Sequence, residues 1–192
     1  MSLILLGILN SQAAAAGGGP AYDLLETQVL TSSASSVSFT GLGSYTDYKH
    51  LQLRMTLRST WTLGSQSLNV YGKFNSSTTS NYSWHDLNGE GSSVSSNAGT
   101  GQEYFRIRTV ASQGDADSGA FGAAILDILD FSNTNKNTTT RALAGVNATD
   151  NWISLNSGLW QTTSAVTSIS FELGAGNIDT GSRLSLYGIK GA

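Results

Sequence analysis

The sequence contains no cysteine and a single proline, Pro20. Without thiols the chain cannot use disulfides, thiolate metal ligands or a cysteine nucleophile. Charged residues make up 12% of the chain, about half the share of roughly 25% that is usual in globular domains. The net charge is −3 and no run of Lys or Arg occurs, so the sequence offers no basic patch for nucleic acid.

The residues that are present favour β-structure. The chain is rich in Ser and Thr and contains 22 glycines, a composition typical of short strands joined by tight turns. Hydrophobic residues make up 39% of its 192 residues, which is enough for the core of one two-layer domain. We therefore predict one globular domain and no disordered chain.

The N-terminus carries a separate apolar segment. Residues 2–9 (SLILLGIL) are followed by alanines at 13–16 and glycines at 17–19. The segment has the apolar run and small residues of a secretory signal, but no basic residue precedes it; the first is Lys49. It is also shorter than the ~20 residues that span a bilayer. A cleaved signal and a retained anchor are the two alternatives, and we favour the anchor.

The predicted organisation is an apolar anchor with a Gly-rich joint over residues 1–21 and a β-sandwich over 22–192. The glycines before Pro20 would form the flexible joint. The anchor side chains that would assemble with other subunits are Leu3, Ile4, Leu5, Leu6, Ile8 and Leu9.

Residues 49–59 (KHLQLRMTLRS) show the clearest alternation in the chain. Four apolar side chains occupy every second position, as in an antiparallel strand with one face buried. About ten such short strands, at spacings of about 8–12 residues, predict an all-β antiparallel sandwich with jelly-roll-like connections. The four side chains predicted to face the core are Leu51, Leu53, Met55 and Leu57.

Two further expectations concern individual strands. Residues 120–131 (AFGAAILDILDF) fit a helix or a strand, and their flanking Gly and Asn residues favour a central strand covered on both faces. Residues 23–31 and 35–40 are predicted to form the first strand pair.

The titratable residues give no catalytic constellation. Hydrolysis by a serine nucleophile needs a base such as His, and only His50 and His85 are present. His50 is predicted on the polar face of a strand, and His85 is predicted to bond Asp86 or a backbone group. Asp127 and Asp130 are three residues apart, so on a strand they point to opposite faces, and Arg141 is an available partner. We predict no catalytic residues.

Metal and cofactor sites are not expected either. With no Cys and two distant His, a zinc site has no ligand set. Asp115 and Asp117 alternate as calcium-loop ligands do, but no acidic residue closes the loop, so a plain turn is the favoured interpretation.

The aromatic residues leave two interpretations open. Rings can stack on sugars or pack in cores and subunit interfaces, and packing accounts for most rings in sandwiches. The residues proposed for a glycan or interface site are Tyr82, Trp84 and Trp160.

An ordered set of motifs resembles small virion proteins of tailed phages of aquatic bacteria, cyanophages especially. Each motif alone is an ordinary strand or turn, and the resemblance rests on their order over residues 22–192. The motifs are residues 23–27 (DLLET), 35–39 (SSVSF), 48–54 (YKHLQLR), 80–85 (SNYSWH), 127–131 (DILDF), 157–160 (SGLW) and 182–190 (SRLSLYGIK).

The resemblance implies a non-enzymatic virion component that decorates or cements the capsid or belongs to a tail fibre. It supplies no catalytic residues. The expected partners are other virion proteins and two further copies of the chain, clustered as a homotrimer by the anchor, with neither nucleic acid nor a membrane. The alternative is a tail-fibre domain that binds a receptor or a host surface glycan. A secreted enzyme is disfavoured because no acid–base constellation is present.

Overall fold

The structure is a computed structural model, and it describes residues 21–62, 68–112, 119–147 and 151–191. The apolar anchor and the joint up to Pro20 lie outside the described residues. Asp115 and Asp117 also lie outside them. The predictions made for these segments, including the trimer and the calcium alternative, therefore stay predictions.

The described residues form strands and one short 3₁₀ turn, which confirms the all-β prediction. None of these residues forms a helix long and apolar enough to cross a membrane. The elements are β1 (Tyr22–Val29), β2 (Val37–Phe39), the 3₁₀ turn (Leu42–Ser44), β3 (His50–Arg58), β4 (Leu68–Phe74), β5 (Tyr82–Glu90), β6 (Ser93–Gln102), β7 (Phe105–Ser112), β8 (Gly122–Leu129), β9 (Thr138–Asn147), β10 (Asn151–Trp160), β11 (Ile169–Leu173) and β12 (Arg183–Ile189).

The strands make two antiparallel layers, so the predicted β-sandwich is confirmed. The larger sheet has eight strands in the order β1-β12-β3-β8-β9-β10-β5-β6, and the smaller has four in the order β2-β11-β4-β7. A two-residue parallel pairing of β3 with β7 joins the layers at one corner. The twelve described strands exceed the predicted ten because residues 82–112 fold into three strands.

The core lies between the layers and follows the alternation of β3. Leu51, Leu53 and Leu57 are 0% exposed and Met55 is 2% exposed, as predicted. The smaller sheet contributes aromatic rings on the opposite side, and the largest of these buried rings are Phe39, Phe74, Phe105 and Phe171. The buried side chains of the two inner faces form one hydrophobic cluster.

The prediction of a first strand pair from residues 23–31 and 35–40 is wrong. β1 pairs with β12 in the larger sheet, whereas β2 pairs with β11 in the smaller one. The chain crosses from one layer to the other between β1 and β2. A period of two identifies each strand but does not identify its partner.

Residues 120–131 contain the predicted strand, β8, but the expected cover on both faces is wrong for this chain. Leu126 and Ile128 are buried between the layers, while Ile125 on the opposite face is 42% exposed. The outer face of the larger sheet thus leaves apolar side chains in solvent.

The inner face of β10 is polar where it meets β7. Asn156 Oδ1 accepts the backbone N–H of Arg108 at 2.9 Å, and Ser154 Oγ donates to the Arg108 carbonyl. β7 is the edge of the smaller sheet, and these side chains satisfy backbone groups that have no strand partner there.

Candidate functional site

The outer face of the larger sheet carries an aligned row of exposed aliphatic side chains. Ile125 lies opposite Leu143, Leu143 opposite Leu155, and Leu155 opposite Leu87, so the row crosses β8, β9, β10 and β5 at one level. Their exposed fractions are 42%, 52%, 49% and 52% in that order. We call these four residues the outer stripe. Opposed pairs on one sheet face are close enough to form a continuous surface.

A row of polar side chains runs parallel to the outer stripe. Asp127 accepts hydrogen bonds from Gln52 Nε2 at 2.7 Å and from Arg141 at 2.9 Å. Beyond Arg141 the same level continues with Ser157 and His85, both of which are exposed. Arg141, which the sequence offered as an available partner, is thus one of the two partners of Asp127. The Arg141 side chain is 67% exposed and faces solvent beside the stripe.

Two open hollows flank these rows. One has a volume of about 480 Å³ and lies between β9 and β6, where Arg141, His85 and Ser157 border Leu87 and Leu155. The other, of about 540 Å³, lies between β12 and β10, and the residues that line it include Arg54, Ile125, Leu143, Ile153 and Arg183. Both hollows therefore combine an aliphatic floor with a cationic side.

Arg54, on β3, borders the outer stripe at the end where Ile125 lies. Its guanidinium lies 5.3 Å from the ring centre of Tyr22 and 5.2 Å from that of Tyr187, and these two rings stack at 4.8 Å. Arg54 lies directly opposite Ile125. The stripe thus has cations at one end and along one side, a pattern that suits a partner with apolar and acidic groups.

The hypothesis of an exposed aromatic site is wrong for all three rings it named. Tyr82, Trp84 and Trp160 are only 0%, 8% and 4% exposed, and they face the inside of the sandwich. The hydroxyl of Tyr82 accepts the backbone N–H of Phe74 at 2.8 Å, and burial raises the pKa of Tyr82 to about 12. Buried rings cannot form a sugar platform or a subunit contact.

Asp130 and His50 are both held in hydrogen bonds of the fold. Asp130 bonds Lys136, and that hydrogen bond, partly opposed by burial, lowers the pKa of the Asp130 carboxyl. The Nδ1 atom of His50 accepts the Asp130 backbone N–H at 2.9 Å. In the described ranges no three His, Asp or Glu side chains form a group that could hold a metal.

Of the two partners predicted for His85, a backbone group or Asp86, the second is wrong, because Asp86 lies on the inner face and His85 on the outer face. Its side chain is 0% exposed and pairs with Arg106, which also lies 3.4 Å from the centre of the Trp84 ring. Burial acts to raise the pKa of Asp86, but hydrogen bonds from Asn97, Asn88 and Arg106 outweigh it and lower the pKa below its ordinary value.

No protein-family model and no curated protein matches the chain. An exo-inulinase from Aspergillus awamori is similar at 11% identity and a TM-score of 0.34, over 93% of this chain and 30% of the inulinase. The CBM40 domain of the Ruminococcus gnavus IT-sialidase, bound to α2,3-sialyllactose, is similar at 10% identity and a TM-score of 0.31, over 88% of this chain and 95% of the domain. The binding domain of botulinum neurotoxin DC, in complex with SialylT, is similar at 10% identity and a TM-score of 0.26, over 88% of this chain and 41% of the solved chain. Scores this low assign no function.

The outer stripe was not predicted from the sequence. The alternation in residues 151–160 indicates a strand with two distinct faces, but it does not show which face is buried. Residues 151–160 alternate Ile153 and Leu155 with Ser154 and Asn156, and the usual interpretation places the aliphatic pair inside. The structure does the opposite, because Ser154 and Asn156 face β7 and bond its backbone. A strand with polar residues on its inner face therefore presents its apolar residues to solvent.

Proposed function

We propose that this chain is a non-enzymatic structural protein of a tailed-phage particle, which binds a neighbouring particle protein through the outer stripe. The observation that carries the binding surface is the alignment of Ile125, Leu143, Leu155 and Leu87 across four strands while each is about half exposed. Exposed apolar surface of this kind is a common mark of an interaction site. The assignment to a phage particle comes from the ordered sequence motifs.

The chemistry of the outer stripe favours a protein partner. Its four side chains are branched aliphatic groups, which pack well against other aliphatic groups but have no flat face for a sugar ring. Arg54 at one end and Arg141 along one side would pair with acidic groups of the partner. The proposed partner surface is therefore an aliphatic patch bordered by Asp or Glu.

The contacts of the acidic side chains support a role without catalysis. Asp127 is held between Gln52 and Arg141, and Asp130 is held by Lys136. A general base needs an orienting partner and access to substrate, whereas Asp127 and Asp130 are used in ion pairs of the fold.

The N-terminal segment completes the proposal. Six large aliphatic side chains between residues 3 and 9 would cost several kcal/mol if they stayed in water, at ~0.8 kcal/mol per methylene. That cost would be removed if the segment packed against its copies in a homotrimer or into a capsid or tail protein. The anchor and the outer stripe would then be two separate attachments.

Changing both Leu143 and Leu155 to Glu is expected to lower the number of copies per particle about tenfold or more. Removing one buried Leu from a contact costs about 1.5 kcal/mol or more, and tenfold in affinity corresponds to about 1.4 kcal/mol. Both residues are about half exposed, so the variant should fold. Quantitative mass spectrometry of purified particles measures the copy number.

Thr139→Glu is the matched control, because Thr139 is exposed on β9 but lies outside the outer stripe. It is expected to leave the copy number unchanged. A parallel variant lacking residues 2–16 tests the anchor. Normal incorporation of the double Glu variant would refute docking through the stripe, and absence of the wild-type chain from particles would refute the virion role.

Glycan binding is a second candidate, favoured by the hollow beside Arg141. There Arg141, His85 and Ser157 offer polar groups next to Leu87 and Leu155, and small-ligand sites combine an apolar wall with a few polar groups. If this candidate is right, the protein will bind a glycan on an array and Arg141→Ala will weaken that binding about tenfold or more, as for a charged hydrogen bond. Lys136→Ala is the control, since Lys136 bonds Asp130 away from the hollow.

A further inference from the structure

Among the described residues, strand β6 is the last strand of the larger sheet, at the end opposite β1. In the described part of the chain its only strand neighbour is β5. Residues 93–98 are all exposed, and Val94 is 76% exposed, the highest value among the large hydrophobic side chains of the described residues. A long exposed edge presents unpaired backbone N–H and C=O groups that can accept another strand.

The other sheet edges carry features that discourage pairing. β1 contains Asp23 and Glu26 and has a register shift between Leu24 and Glu26. β2 is three residues long, and β7 contains two arginines. Charges, bulges and short length are the usual protections of an edge strand. β6 (SVSSNAGTGQ) has neither a charge nor a proline, and its pairing with β5 is regular from Ser93 to Gly99.

The β5–β6 turn determines which backbone groups of β6 are free. Glu90 pairs with Ser93 around the two-residue loop Gly91-Ser92, and Gly91 has a φ of 53°. In a two-residue hairpin the closing pair is hydrogen-bonded and the pairs alternate from there. Ser93 therefore bonds β5, and the residues whose N–H and C=O groups point away from β5 are Val94, Ser96 and Ala98.

We propose that β6 pairs antiparallel with β6 of a second copy of this chain, about a two-fold axis at Ser96. In this register Val94 of each copy lies beside Ala98 of the other copy, and Ser95 of each lies beside Asn97 of the other. No charge opposes a like charge, so the edge is complementary to itself, as a two-fold interface requires. The proposal goes beyond the virion role, and it uses a surface different from the anchor.

The outer stripe supports a second copy as the occupant. Leu87 lies directly opposite Ser96, so the stripe ends at the edge where the second copy would join. Pairing about Ser96 would bring Leu87 of both copies to the same level on either side of the two β6 strands. The two stripes would then lie in line, separated by the two Ser96 side chains and flanked by Val94 and Ala98 of each copy, an arrangement that a strand from an unrelated protein would not produce.

The test is a cysteine at the proposed axis. The chain has no cysteine, so the Ser96→Cys variant carries a single thiol. Opposed residues in a hydrogen-bonded antiparallel pair have Cα atoms about 5.5 Å apart, a separation that suits a disulfide. Mild oxidation is expected to convert Ser96→Cys into a covalent dimer on a non-reducing gel. Ser157→Cys, exposed on the same face but away from the edge, should cross-link at least tenfold more slowly.

Equal cross-linking of the two variants, or none of Ser96→Cys, would overturn the proposal. Protection of the Ser96→Cys thiol only in intact particles would show another protein on the edge and would also overturn it.

Ser96→Pro gives a second measurement, because proline is tolerated where the N–H faces solvent but cannot donate to a partner. Sedimentation of the Ser96→Pro variant should show self-association weakened about tenfold or more. Its thermal melting curve serves as the control that the chain is folded. Unchanged self-association would count against the pairing of β6 strands. Neither result depends on whether the chain belongs to a virion.

Discussion

Replacing Asp86 with Ala is expected to lower the free energy of unfolding by about 3–5 kcal/mol, because it leaves a buried cation unpaired. The Asp86 side chain is 0% exposed and its partner Arg106 is 13% exposed. Asn88 and Asn97 would also lose the oxygen to which they donate. Urea unfolding at neutral pH measures the change.

The environment of Asp86 also predicts a dependence on acid. Its pKa in the folded chain lies below the ordinary value of about 3.9, so the carboxylate stabilises the fold above that pH. This stabilisation is lost as the pH falls through the lowered pKa. Asp86→Asn should therefore be less stable at neutral pH and should lose less stability than the wild type between about pH 4 and pH 2.

Two variants show whether the burial of Asp86 is the cause. Asp127→Ala removes the hydrogen-bonded partner of Arg141, but that arginine is 67% exposed, so a loss of about 1 kcal/mol or less is expected. Replacing Asp86 and Arg106 together with Leu removes both charges and should recover much of the lost stability. An Asp127 variant as damaging as Asp86→Ala would contradict this account.

The sequence predicted the layers of the fold more reliably than it predicted the candidate site. In β3 the apolar side chains are all on one face, so the period of two identified both the strand and its buried side. In β5 the inner face combines Tyr82 and Trp84 with Asp86, while Leu87 lies outside. The hydrophobic alternation changes face within that strand, so it could not show which side is buried.

The reason for this failure is tertiary. The inner residues of β5 and β10 meet β7 at the edge of the smaller sheet, where arginines and free backbone groups need polar partners. Nothing within either strand specifies this neighbour. The buried ion pair and the outer stripe thus have a common origin: the polar residues are inside, and the aliphatic residues that would normally be there are outside.

Gly72→Ala is expected to destabilise the fold by about 1–3 kcal/mol, because a Cβ at this position has no room. An ideal Cβ would lie 2.1 Å from the Phe105 ring. That ring lies opposite Gly72 on β7, is 1% exposed and packs 4.9 Å from the ring centre of Phe74. The ring cannot move outward without opening the core, so β4 and β7 must separate or the ring must leave a favourable rotamer.

Two further substitutions separate crowding from a general intolerance of alanine. Gly43→Ala is the matched control: its Cβ would meet only Thr167, at 3.7 Å, and the loss of chain freedom in the unfolded state should leave stability unchanged or raise it by up to about 1 kcal/mol. Phe105→Leu makes room beside Gly72, so the double variant should be more stable than the sum of the two single losses predicts, by about 0.5 kcal/mol or more. Denaturant unfolding of the wild type, the Gly72→Ala and Phe105→Leu single variants and the double variant completes a double-mutant cycle. The cycle gives the coupling free energy between the two positions directly. Strict additivity would show that the glycine is needed for its backbone and that the Phe105 ring is not the obstacle.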